Sequence, residues 1–65
     1  MSTPINVRDV AVGARVILST GAEAEVLSNP RDGVWLFARY LSWADEPARV
    51  GQEDMIFAQD VVDIR

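Results

Sequence analysis

The 65-residue sequence predicts a single, mainly β domain, in which about five short strands follow one another and close into a small barrel or sandwich. Runs rich in valine, isoleucine and aromatic residues are separated at short, regular intervals by glycine, proline and asparagine. A chain of this length also buries only about 60% of the surface that its unfolded form exposes. It therefore has room for one core.

The first two predicted strands form a hairpin. Residues 14–20 (ARVILST) and 22–27 (AEAEVL) alternate between apolar and polar positions, and Gly21 between them supplies the positive φ of a tight turn. The alternation assigns one face to the interior, namely Val16, Leu18, Ala22, Ala24 and Val26. The opposite face carries Arg15, Ile17, Glu23, Glu25 and Leu27.

The third predicted strand contains most of the aromatic residues and begins after a turn at residues 29–33 (NPRDG). A helix is its competitor, since residues 35–46 contain no breaker before Pro47, but most of these residues favour strands. In an extended segment the interior side chains are Val34, Leu36, Ala38 and Tyr40. The outward side chains are Trp35, Phe37, Arg39, Leu41 and Trp43.

The last third of the chain predicts a strand at residues 55–58, a one-turn helix at 59–61 and a short final strand that ends at Arg65. Residues 12–65 thus make up the small β-barrel domain. Residues 1–11 alternate apolar and polar side chains, which is consistent either with an extended arm over the domain or with an extra strand.

Composition excludes several functions. The chain has no cysteine, histidine or lysine, so thiolate metal sites and the usual nucleophile and base pairs are absent. The net charge of −4 lies entirely in residues 45–65, which is the wrong sign for a surface that follows phosphates. The carboxylates around the Pro47–Gly51 loop are interpreted as solvated rather than as a metal site: Asp45, Glu46, Glu53 and Asp54. We expect no enzyme activity, cofactor or small-molecule substrate.

The N-terminal sequence MSTPINVRDV lacks a basic cluster followed by an apolar run, and nowhere do eighteen apolar residues follow one another. A cytoplasmic protein without a membrane partner is the simplest interpretation.

The stretches VGARVILSTGAEAEV (residues 12–26), Asp32-Gly33 before an aromatic strand, and IFAQDVVDI (residues 56–64) resemble the Src-homology-3-like small barrels of the Tudor and KOW type. Such domains commonly open with a glycine, a charged residue and a valine, here Gly13, Arg15 and Val16. They often close with a one-turn helix that carries an acid and a valine, here Asp60 and Val61. The resemblance implies a five-stranded small barrel with a one-turn helix before the last strand.

The resemblance also implies two kinds of site. A Tudor-like aromatic cage would draw on Trp35, Phe37, Tyr40, Trp43 and Phe57, with Asp45 or Asp60 as its carboxylate. A KOW-like module would contact nucleic acid through Arg15, Arg31 and Arg39. This chain departs from the KOW pattern, because Glu23 and Glu25 stand where basic residues are usual and Ala24 stands where glycine is usual.

The outward rings of the third strand predict a contact function, because they present more apolar surface than a soluble monomer normally leaves bare. The cover could be intramolecular, through the N-terminal arm at residues 5–12 or through a bulge near Arg39 that turns Trp43 inward. It could also be a second copy of the chain or a different protein. We expect a non-catalytic protein-interaction or assembly module, with a protein partner or a homodimer. Its predicted contact residues are Trp35, Phe37, Arg39, Trp43 and Phe57. Nucleic acid is the less favoured partner.

Overall fold

A computed structural model of the chain describes residues 7–65 as a five-stranded antiparallel sheet. The strands are β1 (Arg15–Leu18), β2 (Glu23–Ser28), β3 (Trp35–Ser42), β4 (Glu53–Phe57) and β5 (Val61–Ile64). Single 3-10 turns at Pro47–Arg49 and Ala58–Asp60 precede β4 and β5. The mainly β fold class, the five strands and the one-turn helix before the last strand are therefore confirmed.

The strands are ordered β4-β3-β2-β1-β5, so β4 and β5 form the two edges. The connection between them requires the sheet to curl. From Phe57 at the end of β4 to Val61 at the start of β5, the chain reaches at most about 14 Å. In a flat sheet, four strand spacings would separate the edges by about 19 Å.

The sheet is nevertheless not closed, which corrects the prediction of a barrel. In residues 7–65, β4 pairs only with β3, and β5 pairs only with β1. Every pair of neighbouring strands is antiparallel, so the two edge strands of this five-stranded sheet have the same sense and are not joined by a hairpin. The 3-10 turn at Ala58–Asp60 instead carries the chain across the gap and leads it directly into pairing with β1.

The core lies on one face of this curled sheet. The alternation predicted for the first three strands is confirmed there, since Val16, Ala24 and Leu36 are fully buried. The complete set of buried side chains among residues 7–65 is Val7, Val10, Val16, Leu18, Ala22, Ala24, Val26, Leu36, Ala38, Tyr40, Ile56 and Val61. Every one is apolar or aromatic. No charged or strongly polar side chain in the described part of the chain is buried.

The extended conformation of β3 excludes the helical alternative for residues 35–46. One interior assignment is wrong: Val34 is 54% exposed, because β3 begins at Trp35 and Val34 still belongs to the preceding turn. Its amide is held there, since the Val34 N–H donates to Oδ1 of Asp32 at 2.8 Å.

The segment before β1 packs onto the core. Val7 and Val10 are buried, and the Val10 N–H donates to the Val7 carbonyl at 3.2 Å to close a turn. Residues 7–14 contain no strand. The remainder of the predicted arm or extra strand, residues 1–6, lies outside the described residues.

Candidate functional site

Two neighbouring strands bring most of the predicted contact residues onto one surface. Register pairs place Trp35 opposite Phe57 and Phe37 opposite Met55. The next pair in the same face is Arg39 opposite Glu53. Cross-strand partners project to the same side of a sheet, and these alternate with the buried residues of β3 and β4. We call the six residues of these three pairs the outer β3–β4 face.

The outer β3–β4 face has an apolar end. Met55 is 46% exposed and Phe57 is 44% exposed, while Trp35 and Phe37 are half-buried by their neighbours. None of the four packs against the core cluster. In the described part of the N-terminal segment, Val7 and Val10 pack into that core cluster, and Val12 is exposed. Within residues 7–65, Met55 and Phe57 thus remain exposed, and Trp35 and Phe37 are only partly covered.

The other end of the face is charged and internally paired. Arg39 bonds to Glu53 across β3 and β4, with Nη2 and Oε2 3.2 Å apart. Glu25 lies in register between Arg39 and Arg15. Together these residues form a row of alternating sign across four strands: Glu53, Arg39, Glu25 and Arg15. The row is electrically balanced.

The three arginines of the nucleic-acid alternative have different surroundings. Arg39 faces Glu53 at 3.2 Å, and Arg15 lies 3.5 Å from Glu23. Arg31 is exposed in the turn after β2, where its φ of 65° is left-handed and its N–H donates to Oδ1 of Asn29. The structure does not bring the three guanidinium groups into one basic patch, since two of them are matched by carboxylates.

Trp43 lies outside this face. It follows the end of β3, packs against the core, and its ring centroid is 4.9 Å from that of Tyr40. The guanidinium of Arg49 lies 5.6 Å from each of these two ring centroids. Of the five predicted contact residues, the structure thus unites Trp35, Phe37, Arg39 and Phe57, and it places Trp43 in a different cluster.

Arg49 connects that second cluster to β4. Its Nη2 lies 3.2 Å from Oδ2 of Asp54, and the same oxygen accepts a hydrogen bond from the Tyr40 hydroxyl at 3.1 Å. Burial, reinforced by the bond to Asp54, raises the pKa of Tyr40 above its ordinary value. These contacts fix the loop between β3 and β4 against the end of the sheet.

The two clusters divide the aromatic residues proposed for a Tudor-like cage. Tyr40 and Trp43 contact an arginine of this same chain, whereas Trp35, Phe37 and Phe57 lie on the outer β3–β4 face. The carboxylate beside the arginine is Asp54. A cage of five converging rings with Asp45 or Asp60 is thus not formed, because successive residues of β3 project to opposite sides.

The two carboxylates at the start of β4 are likewise divided between the two sides of the sheet. Glu53 bonds to Arg39 on the outer side, whereas Asp54 bonds to Arg49 and Tyr40 on the inner side. Within residues 7–65, no group of three or more potential ligands is arranged to hold a metal ion, and no pocket is formed. The described part of the chain also contains no helix with the length and apolar character needed to cross a membrane.

Sequence reasoning missed three residues that organise these surfaces. Met55 was detectable, because it alternates with Phe57 in the same apolar run. Arg49 and Asp54 carried no local signal, because the β3–β4 loop has to fold before Asp54 can meet Arg49 and Tyr40.

Comparison with known proteins finds no matching family model, no similar curated protein and no similar solved structure. The functional assignment therefore depends on the geometry of the chain itself.

Proposed function

We propose that this chain is a non-catalytic protein-interaction or assembly module that docks through the outer β3–β4 face. The observation that carries the proposal is the apolar end of that face, which stays partly exposed among residues 7–65. Met55 and Phe57, both nearly half exposed, continue the half-buried rings of Trp35 and Phe37. Large apolar side chains gathered on one side of a sheet are typical of protein contacts.

The chemistry of the face supports a protein partner over a nucleic acid. Aromatic residues, methionine and arginine are the residue types enriched where proteins meet. Phosphate binding needs unpaired positive charge, and both Arg39 and Arg15 already face carboxylates. Binding to DNA or RNA that weakens steeply with salt and disappears in Arg39→Ala would instead support the KOW-like alternative.

We also propose that the fold belongs to the Src-homology-3-like class of Tudor and KOW domains. The strand order β4-β3-β2-β1-β5 and the 3-10 turn between β4 and β5 support this assignment. The function proposed above does not depend on it.

Site-specific photo-cross-linking tests the function. A benzophenone amino acid is placed at Phe57 in one variant and at Val62 in a matched control, because both positions are exposed apolar residues on the two edge strands. Cross-linking is then performed in cells that express the chain. We expect protein adducts from position 57 that are lost on Phe37→Ser, and few from position 62. Equal adducts at both positions, or none at position 57, would contradict the proposal.

A further inference from the structure

We infer that the partner of the outer β3–β4 face is a second copy of this chain, related by a two-fold axis that runs parallel to the strands between β3 and β4. The inference rests on the proposed function, because it requires this face to make protein contacts. It adds the identity of the partner and the orientation in which the two copies meet.

The register of β3 and β4 makes the face complementary to itself. A two-fold axis between these strands lays β3 of one copy over β4 of the other. Each residue then faces its own register partner on the second copy. Trp35 thus meets Phe57, and Phe37 meets Met55, so that both apolar ends are covered.

The charged pair obeys the same rule. Arg39 of one copy meets Glu53 of the other, and the reciprocal contact occurs on the opposite side of the axis. Each arginine already bonds to the glutamate of its own copy at 3.2 Å. The two pairs would therefore form a closed set of four alternating charges, with no like charges adjacent. Such complementarity favours this register over others.

Two arrangements with the axis perpendicular to the strands, in the plane of the contact, lack this match. Both lay β3 over β3 of the second copy. If that axis passed through the charged row, Arg39 would meet Arg39. If it passed through the apolar row of Phe37 and Met55, Trp35 of one copy would meet Arg39 of the other. Of these three arrangements, the one with its axis parallel to the strands brings apolar residues onto apolar residues and arginine onto glutamate.

The contact involves six residues of each copy, fewer than the roughly 20–30 residues on each side of a standard interface. The net charge of −4 on each copy also opposes association. We therefore expect a weak dimer whose population depends on protein concentration.

A charge exchange tests the orientation. The double variant Arg39→Glu, Glu53→Arg retains an opposite pair within each copy, and it also retains opposite pairs between two copies of the variant. We expect it to dimerise within about threefold of the wild-type affinity. A mixed pair of wild type and double variant would place arginine against arginine and glutamate against glutamate. We expect this mixed dimer to be at least about tenfold weaker than either homodimer.

The measurement is sedimentation equilibrium of each protein at increasing concentration, followed by native mass spectrometry of an isotopically distinguished mixture. Phe57→Ser should weaken the wild-type dimer at least about tenfold, while the matched control Val62→Ser should leave it unchanged. Urea unfolding of each variant verifies that its fold is retained. A statistical proportion of mixed dimers would overturn the inference, as would a loss of dimer in Val62→Ser equal to that in Phe57→Ser.

A wild-type chain that remains monomeric at every concentration would also overturn the inference. The proposed function would still stand if position 57 cross-linked to other proteins in cells, and it would fail if that position gave no adducts. The two failures are therefore distinguishable.

Discussion

The Asn29 side chain holds the N-terminal segment against the sheet, and its replacement by aspartate should destabilise the fold strongly. Its Nδ2 lies 2.8 Å from the Val10 carbonyl oxygen and 3.1 Å from those of Val7 and Arg8. Its Oδ1 accepts the Arg31 N–H at 2.8 Å. Aspartate has nearly the same shape and keeps that acceptor, but it replaces the donating amide with a carboxylate that faces three carbonyl oxygens.

The magnitude follows from the two N–H groups of the amide. Each hydrogen bond contributes about 0.5–1.5 kcal/mol to the free energy of unfolding, so the loss of two costs about 2 kcal/mol before any repulsion is added. A domain of this size has a total stability of roughly 3–10 kcal/mol. The midpoint of thermal unfolding should therefore fall by about 8–16 °C.

Thermal unfolding followed by circular dichroism, with urea unfolding followed by tryptophan fluorescence, measures this loss. Asp32→Asn is a matched control in the same turn. Its Oδ1 accepts the Val34 N–H at 2.8 Å, and an amide oxygen can do the same. We expect the control to change stability by less than about 0.5 kcal/mol, as surface substitutions usually do. If Asn29→Asp also stayed within about 0.5 kcal/mol of the wild type, the reasoning would be refuted.

Two further perturbations address the core and the second cluster. Leu36→Ala should reduce the free energy of unfolding by about 2–5 kcal/mol, because Leu36 is fully buried, whereas Phe57→Ser should reduce it by less than about 1 kcal/mol. Urea unfolding measures both losses. Equal losses would contradict the division into core and outer face. The pKa of the Tyr40 hydroxyl is raised in the folded protein, so the unfolded chain loses that proton at a lower pH than the folded chain does. The free energy of unfolding should therefore fall as the pH rises from the ordinary tyrosine pKa, about 10, through the raised value. Ultraviolet absorbance follows the titration of this single tyrosine, and an alkaline loss of stability that persisted unchanged in Tyr40→Phe would exclude the phenol as its cause.

The parts of the fold that local alternation determines were predictable from the sequence. Interior positions such as Ala24, Val26 and Leu36 follow from the two-residue period of a strand, and the structure buries them all. The turn before the last strand was also predictable, with an offset of one residue. Closure of the sheet was not, because it depends on how strongly the strands twist and curl, and no local pattern reports that.

The candidate site was predictable to a similar extent. The alternation identified Trp35, Phe37 and Arg39 as outward side chains, and their shared face with Phe57 follows from strand pairing. Trp43 was assigned to that face by extending the alternation beyond the end of β3 at Ser42, where a strand period no longer applies. The contacts that hold it arise from the return of the chain in the β3–β4 loop.

The Arg49 contacts illustrate the same limit. The position of the Arg49 guanidinium, over two rings and beside Asp54, depends on how the β3–β4 loop lies against the sheet. The sequence shows only an arginine between a proline and a glycine. Such a residue is most often solvated, and only the tertiary structure distinguishes the two cases.

The central claim is that the outer β3–β4 face meets a second copy of the chain, and the indole N–H resonances of the two tryptophans test it most directly. Both can be followed in ¹⁵N-edited NMR spectra recorded over a series of protein concentrations. We predict that the Trp35 resonance shifts with concentration, together with the amides of Phe37, Met55 and Phe57, while Trp43 does not move. Spectra that superimpose at all concentrations, or shifts that centre on Trp43, would contradict the account.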